Sequence, residues 1–327
     1  PVVVGMTLIH SFKEIWQLAL TIILCTGYVA YFLNSSYYDG FNLAEAGWAS
    51  YGRGYLALTM VVGFGVAFFL AFISRTWWQK AIAVSVALLC LHATLLTFSR
   101  GGMLSLIVTG AFAFVFTPKR PVYVAMFSIA LLVALRLTGP ELAERFSTVF
   151  VSEEERDTSA QSRLEAWGHA SSVAAEHPLI GVGPDHWVLV APSRGLITRT
   201  GAGMEVHSLW IQTAAEIGIP GAIALFGFYV ICIYRLLPLA RDRVRPPNDP
   251  GPWLARMVIC SLAGLIVCSQ FITTEGMEIP FFVCLIGAGV PKSLDAVNRL
   301  PCNHVDIPDT AEWAHTGDII PHLHPFA

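Results

Sequence analysis

The apolar residues of this chain come in runs long enough to cross a lipid bilayer, and that limits the fold more than any other feature. The runs lie near 15–33, 55–73, 81–98, 102–117, 121–138, 216–234, 254–272 and 278–291. A spanning helix needs about 20 mostly apolar residues. In hydrocarbon every backbone N–H and C=O must be satisfied within the chain, so such runs are expected as helices. Composition agrees. Charged residues make up 13% of the chain, against about 25% in soluble domains. We therefore expect an all-α, polytopic membrane helical bundle of about eight spans, with one large, partly helical extracytoplasmic loop. The last run is short and depends on Pro280 sitting in the first helical turn, where its missing N–H costs little. The first ten residues are apolar too and the chain opens at Pro1, from which we expect further helices upstream.

Lys and Arg in short loops orient such a bundle. Lys13, Arg75, Lys80, Lys119, Arg120, Arg235, Arg241, Arg243, Arg245, Lys292 and Arg299 fall on one side if the runs alternate. That side reads as cytoplasmic, and the loops 34–54 and 139–206 then lie outside. The domain expectation is membrane helices over 1–138, a loop unit over 139–206, membrane helices over 207–291, and a disordered cytoplasmic tail over 292–327. The net charge of −3 and the absence of a basic patch exclude a nucleic-acid partner from the reading. Cys25, Cys90, Cys232, Cys260, Cys268 and Cys284 lie in the apolar runs, show no CxxC spacing, and read as small apolar residues.

The loop carries its own pattern. A helix is expected from about 160 to 176, capped by Ser159 or Asp157, with Leu164, Trp167, Ala170, Val173 and Ala174 as its inward stripe. His177-Pro178 ends it, and Gly181-Val182-Gly183-Pro184 makes a turn. A second helix starts near Glu205, with a break at Gly218 and Pro220.

Several residues are candidates for chemistry, each with a plainer alternative. Arg100 sits between two runs, followed by Gly101-Gly102. A guanidinium beside exposed backbone N–H groups makes a phosphate seat; equally, it reads as an interfacial Arg reaching to lipid head groups. Arg163 opens the loop helix, where it adds to a field favouring anions, or is a solvated charge. His207 can take and release a proton near neutrality, or can be a capping residue. On a helical reading it shares a face with Trp210, Ile211 and Ala214, while Ser208, Gln212 and Glu216 share another. His92 lies seven residues before Ser99 in an apolar run and reads first as a hydrogen-bonded structural residue. His169, His177 and His186, the run Glu153-Glu154-Glu155, and Cys302, His304, His315, His322 and His324 match no metal-ligand spacing. No metal or cofactor is expected.

Three segments together resemble one family. Thr97–Gly102, T-F-S-R-G-G, resembles the first arginine motif of the O-antigen ligase and O-antigen polymerase superfamily. The run S-A-Q-S-R-L-E-A-W (Ser159–Trp167), followed by H-P-L-I-G-V-G-P, is similar to its large periplasmic loop. Val206–Gly221, V-H-S-L-W-I-Q-T-A-A-E-I-G-I-P-G, resembles its most diagnostic segment. Members more often carry His-Asn there; His207-Ser208 is the form also found in exosortase-associated O-glycosylation ligases. The resemblance spans about 55–295. It implies a metal-independent, inverting glycosyltransferase in the bacterial inner membrane, its active site facing the periplasm. The implied donor is a glycan on undecaprenyl diphosphate. The acceptor is a hydroxyl of lipid A core, another glycan or a protein, and membrane lipid surrounds the enzyme. His207 is then the base, with Arg100 and Arg163 on the diphosphate. Arg53 and Arg136 are secondary candidates for the lipid phosphate. Glu216, inside the diagnostic segment, is a candidate for binding substrate or for supporting the fold. A polysaccharide polymerase of the same superfamily and a non-enzymatic lipid-linked glycan transporter or flippase are the alternatives; the lack of an internal repeat speaks against the latter.

Overall fold

The computed structural model describes residues 2–49, 51–138, 158–198, 203–242, 244–246, 249–273 and 277–298. Its helices in chain order are α1 Val2–Leu8, α2 Phe12–Tyr38, α3 Leu43–Ala46, α4 Arg53–Ile73, α5 Trp77–Leu96, α6 Arg100–Phe116, α7 Pro121–Thr138, α8 Thr158–Glu176, α9 Trp187–Val190, α10 Leu209–Ile217, α11 Ile219–Arg241, α12 Pro250–Cys268 and α13 Ile279–Asn298. Among the described residues there is no strand, only two isolated bridges, Trp48 with Tyr51 and Ile197 with Gly203. Six of the helices, α2, α4, α5, α11, α12 and α13, are long and apolar enough to cross a membrane, and α6 is apolar but shorter, at 17 residues. The protein is an all-α multi-pass helical bundle.

Local chemistry sets the helix starts. α2 opens on a capping box: the Ser11 hydroxyl accepts the Glu14 N–H at 3.4 Å, and the Glu14 carboxylate accepts the Ser11 N–H at 3.0 Å. Two of the four donors orphaned at a helix start are thereby satisfied. Ser99 caps α6 by accepting from Gly102 N at 3.3 Å. Asp249 caps α12 by accepting from Gly251 N at 2.8 Å, with Pro250 opening the helix.

α4 and α12 form the centre of the bundle, with α2, α5 and α6 packed around them. Small residues allow the close approach that membrane helices need, since lipid supplies no hydrophobic drive between helices. A side chain at Gly65 would place its Cβ 2.5 Å from Ser261 Oγ of α12; overpacking of this kind costs about 1–3 kcal/mol. α11 leaves Ile223, Phe226, Ile231 and Tyr234 exposed, which suits a lipid-facing helix.

Three expectations about element bounds are corrected. The break expected at Gly218 is present, and the span expected from 216 starts instead at Ile219. Gly218 has φ 87, and its Cβ would lie 2.5 Å from the Leu179 backbone, so α10 ends there and Pro220 falls in the first turn of α11. The last helix continues to Asn298 with Pro291 inside it, past the expected end at 291. In the loop helix, Leu164 is 45% exposed and is not part of the buried stripe. At about 100° per residue it lies roughly 120° around the helix from Ala170. Ala166, Ala170 and Val173 face inward instead, against Trp187, Ala191, Leu196, Val206 and Ala215. The caps expected at Asp157 or Ser159, the glutamates 153–155 and the tail beyond 298 lie outside the described residues or side chains.

The starts of α4, α6 and α10 meet just past the end of α12: Gly54 lies against Ile272, Gly101 against Phe271, and Leu209 N donates to Ser269 O. The small cluster built on α8 packs there, through α10.

Candidate functional site

His207 does not lie on a helix. α10 starts at Leu209, with Ser208 as its cap accepting from Ile211 N at 3.5 Å, so the helical face expected for His207 does not exist. Instead His207 occupies a strap leading into α10. The strap is fastened on both sides. Trp167 Nε1 donates to Val206 O at 2.9 Å. Leu209 N donates to Ser269 O at 2.8 Å and to Ile272 O at 3.0 Å, at the end of α12. His207 has φ 54. A bulky residue in the left-handed region is strained and persists only where its surroundings over-determine it.

The fold brings cations to this histidine. Its pKa is held below the ordinary imidazole value first by burial, then by Arg163, with Arg53 adding to the same effect. Glu205 opposes them, with Oε2 3.5 Å from His207 Nδ1. The His207 side chain remains 40% exposed, so it is shielded yet reachable. Arg163 comes from α8, one heptad before Ala170 and therefore on the inward face. Arg53 is the first residue of α4, and both are half-buried. The positive end of α10, which follows at once, also favours the neutral ring.

Arg100 is the first residue of α6 and is half-buried. Two residues before it stands Phe98, another left-handed non-glycine residue, at φ 45. Gly101 must be small, because a Cβ there would come 2.6 Å from Phe271. Phe271 lies in the segment whose carbonyls hold Leu209, so the start of α6 and the His207 strap share one support. The N–H groups at the start of α6 and the Arg100 guanidinium make an anion-favouring end.

Glu216 is buried, at 3% exposed. Its Oε2 accepts from Asp185 N at 3.2 Å, and its Oε1 from Trp187 N at 3.1 Å and Gln212 Nε2 at 3.3 Å. Thr273 extends the chain by donating to Gln212 Oε1 at 2.9 Å. The face expected to join Gln212 and Glu216 is present, and its carboxylate is directed at the loop's own backbone. The turn above it is equally closed: Val182 N and Gly183 N donate to the Ala215 and Glu216 carbonyls at 3.0 and 2.9 Å. Gly181, at φ 63, has no room for a Cβ, which would fall 2.3 Å from the Glu216 backbone.

Other candidates lie elsewhere. Arg136 is exposed in the last turn of α7, a helix that packs on α5; among the described contacts nothing joins it to His207. His92 is buried in α5, its Nδ1 on Asn34 Oδ1 and its ring stacked on Tyr38. Asn34 is itself held by the Ala30 and Leu89 carbonyls, a structural arrangement. His186 Nδ1 lies 2.8 Å from Pro184 O. Among the described residues no group of three His, Cys, Asp or Glu side chains is placed to hold a metal ion. Sequence reading missed two participants. Glu205 was legible only as two positions from His207. Trp167 was read as core and as the last residue of a loop motif, and a tryptophan at helical spacing does not disclose where its N–H goes.

Residues 85–226 match the family model described as O-antigen ligase. The match is narrower than the expected 55–295, and it contains Arg100, Arg163, His207 and Glu216 but not Arg53. No curated protein matches the chain.

Proposed function

Taking residues 85–226 as an O-antigen ligase domain in a multi-pass membrane protein, we propose that the chain transfers a glycan from undecaprenyl diphosphate to an acceptor hydroxyl at the periplasmic face. The observation that carries this reading is a part-exposed imidazole on a strap fastened beside Arg163 and Arg53, its pKa lowered first by burial and then by those guanidiniums. A base that must stay unprotonated and cations that must hold a diphosphate are needed in one place by this reaction.

In the proposed step the acceptor O–H gives its proton to His207 Nε2 while its oxygen attacks the anomeric carbon. Glu205 faces Nδ1 and favours the tautomer with its proton there, leaving Nε2 as acceptor. The bond from the anomeric carbon to the phosphate oxygen breaks, and the electron pair leaves with the polyprenyl diphosphate. Arg100 and Arg163 hold the diphosphate and stabilise its growing negative charge, with Arg53 beside them. A single displacement inverts the anomeric centre. The diphosphate is already a good leaving group, so no metal is required by the chemistry. Glu216 acts as a strut that shapes the loop over the site rather than as a ligand. Arg136 stays a candidate for lipid phosphate.

The test is reconstitution of the purified chain in vesicles with a synthetic polyprenyl-diphosphate glycan, offered lipid A core, a glycan or a protein acceptor, with and without a chelator. Mass analysis of the product is expected to show one glycan moved with inverted linkage, chelator or not. Products lengthened by repeated units identify the polymerase. Movement of intact donor between leaflets without transfer overturns the enzyme reading.

A further inference from the structure

Four observations meet at Trp167. Its indole N–H donates to the carbonyl of Val206 at 2.9 Å, and Val206 is fully buried. The next residue is His207, in its strained left-handed conformation. Trp167 lies one turn after Arg163 on α8, so the two side chains share a face. Its ring stands 6.4 Å from that of Phe271, which is packed against Gly101 at the start of α6. One side chain thus touches the supports of all three residues assigned to transfer.

We propose that Trp167 is a positioning residue that registers the Arg163 helix on the His207 strap and, through Phe271, on the Arg100 end of α6. Its N–H has a specific task. A buried carbonyl left without its donor is costly, and the strap relaxes by turning that carbonyl elsewhere. Residue 207 follows directly, so its left-handed conformation and its distance from Arg163 both change. The ring has a second task, which is to hold α8 at the Phe271 wedge. A phenylalanine keeps the second and loses the first. The transfer consequence rests on the role proposed above for His207; the positioning itself does not.

The experiment reads position without any donor or acceptor. In the full chain in lipid nanodiscs, carbethoxylation of His207 is followed against pH by peptide mass analysis; only the neutral ring reacts. The charged groups acting on His207 are Arg163 from α8, Arg53 from α4 and Glu205 on its own strap. In wild type, Arg163→Gln is expected to move the titration upward, because one depressing charge is gone. Trp167→Phe is expected to move it upward as well, and Arg163→Gln should then add little. Trp167→His, which restores a ring N–H, is expected to titrate closer to wild type than Trp167→Phe. The inference is overturned if Trp167→Phe titrates as wild type. It is equally overturned if Arg163→Gln shifts both backgrounds alike or neither, or if Trp167→His shows no recovery. In the transfer assay Trp167→Phe should lower kcat on the order of 10²-fold, the scale of a ~1 Å misplacement, with donor KM little changed. A wild-type chain without transferase activity sinks the proposed reaction and leaves the titration result to decide this one.

Discussion

Replacing Glu216 by Ala tests whether this residue is a strut. Its two oxygens accept from Asp185 N, Trp187 N and Gln212 Nε2, and alanine removes all three bonds. Gln212 Oε1 keeps its bond from Thr273, and the Gln212 Nε2 donor, on a side chain, is left out of the sum. The two backbone donors cannot turn. Trp187 is fully buried, and Asp185 is held at φ 59, a conformation that itself needs support. A hydrogen bond to a charged group contributes about 1.5–3 kcal/mol. Two such bonds, discounted because the Asp185 N–H is only part-buried and can find water, suggest about 3 kcal/mol of local stability. At 1.4 kcal/mol per factor of ten, that is on the order of 10²-fold. The assay is amide hydrogen exchange across 181–190, which reports local opening directly. Glu216→Ala should speed exchange at Trp187 and its neighbours by roughly that factor, with the centre of α4 unaffected. Glu216→Gln should fall between, because one carbonyl oxygen remains while an NH₂ group meets a backbone donor. Unchanged protection around Trp187 in Glu216→Ala would refute the strut, and with it the case against a direct substrate role.

Four further outcomes are expected. His207→Ala should lose turnover by 10²–10⁴-fold, the usual contribution of a general base, while donor binding stays largely intact; normal turnover removes His207 from the reaction. Because burial and Arg163 hold the His207 pKa down, activity should fall only as pH drops below the ordinary imidazole range. Arg163→Gln should move that acid limb to higher pH, and Glu205→Gln, which removes a group that raises the pKa, should move it lower; a limb that ignores both variants belongs to another group. Arg100→Ala should weaken the donor by about 1.5–3 kcal/mol, with Arg100→Lys restoring only part, since a point charge replaces a planar fork; full activity of Arg100→Ala in folded protein excludes it from the site. Single cysteines at Ser193 and Asn248 should label from outside and from the cytoplasm respectively, and outside labelling at 248 reverses the orientation.

Much of this molecule is decided by short stretches of chain. A run such as Arg53–Ile73 must be a helix, because hydrocarbon offers its backbone no other partner. Ser11 with Glu14, and Ser99 before Arg100, mark helix starts by chemistry that reaches three residues along the chain. The motifs around Arg100, Arg163 and His207 were legible for the same reason, as local patterns. What no local pattern contains is the meeting of distant groups. Arg53, at the start of α4, acts on His207 across more than 150 positions, and only the shared bundle end brings them together. His207 was read onto a helix because periodicity cannot see that Ser269 and Ile272 capture Leu209 and leave the preceding residues outside the turn. Glu216 read either as a substrate carboxylate or as a support of the fold, and only the packed structure shows its oxygens on the loop's N–H groups. Trp167 read as core and as the last residue of a loop motif, with no sign that its N–H lies on Val206. Apolar runs, caps and glycine breaks depend on water, lipid and near neighbours, so the sequence alone determines them. The direction of a hydrogen bond and the field at one imidazole depend on which atoms lie within a few ångströms, and only the packed tertiary structure decides that.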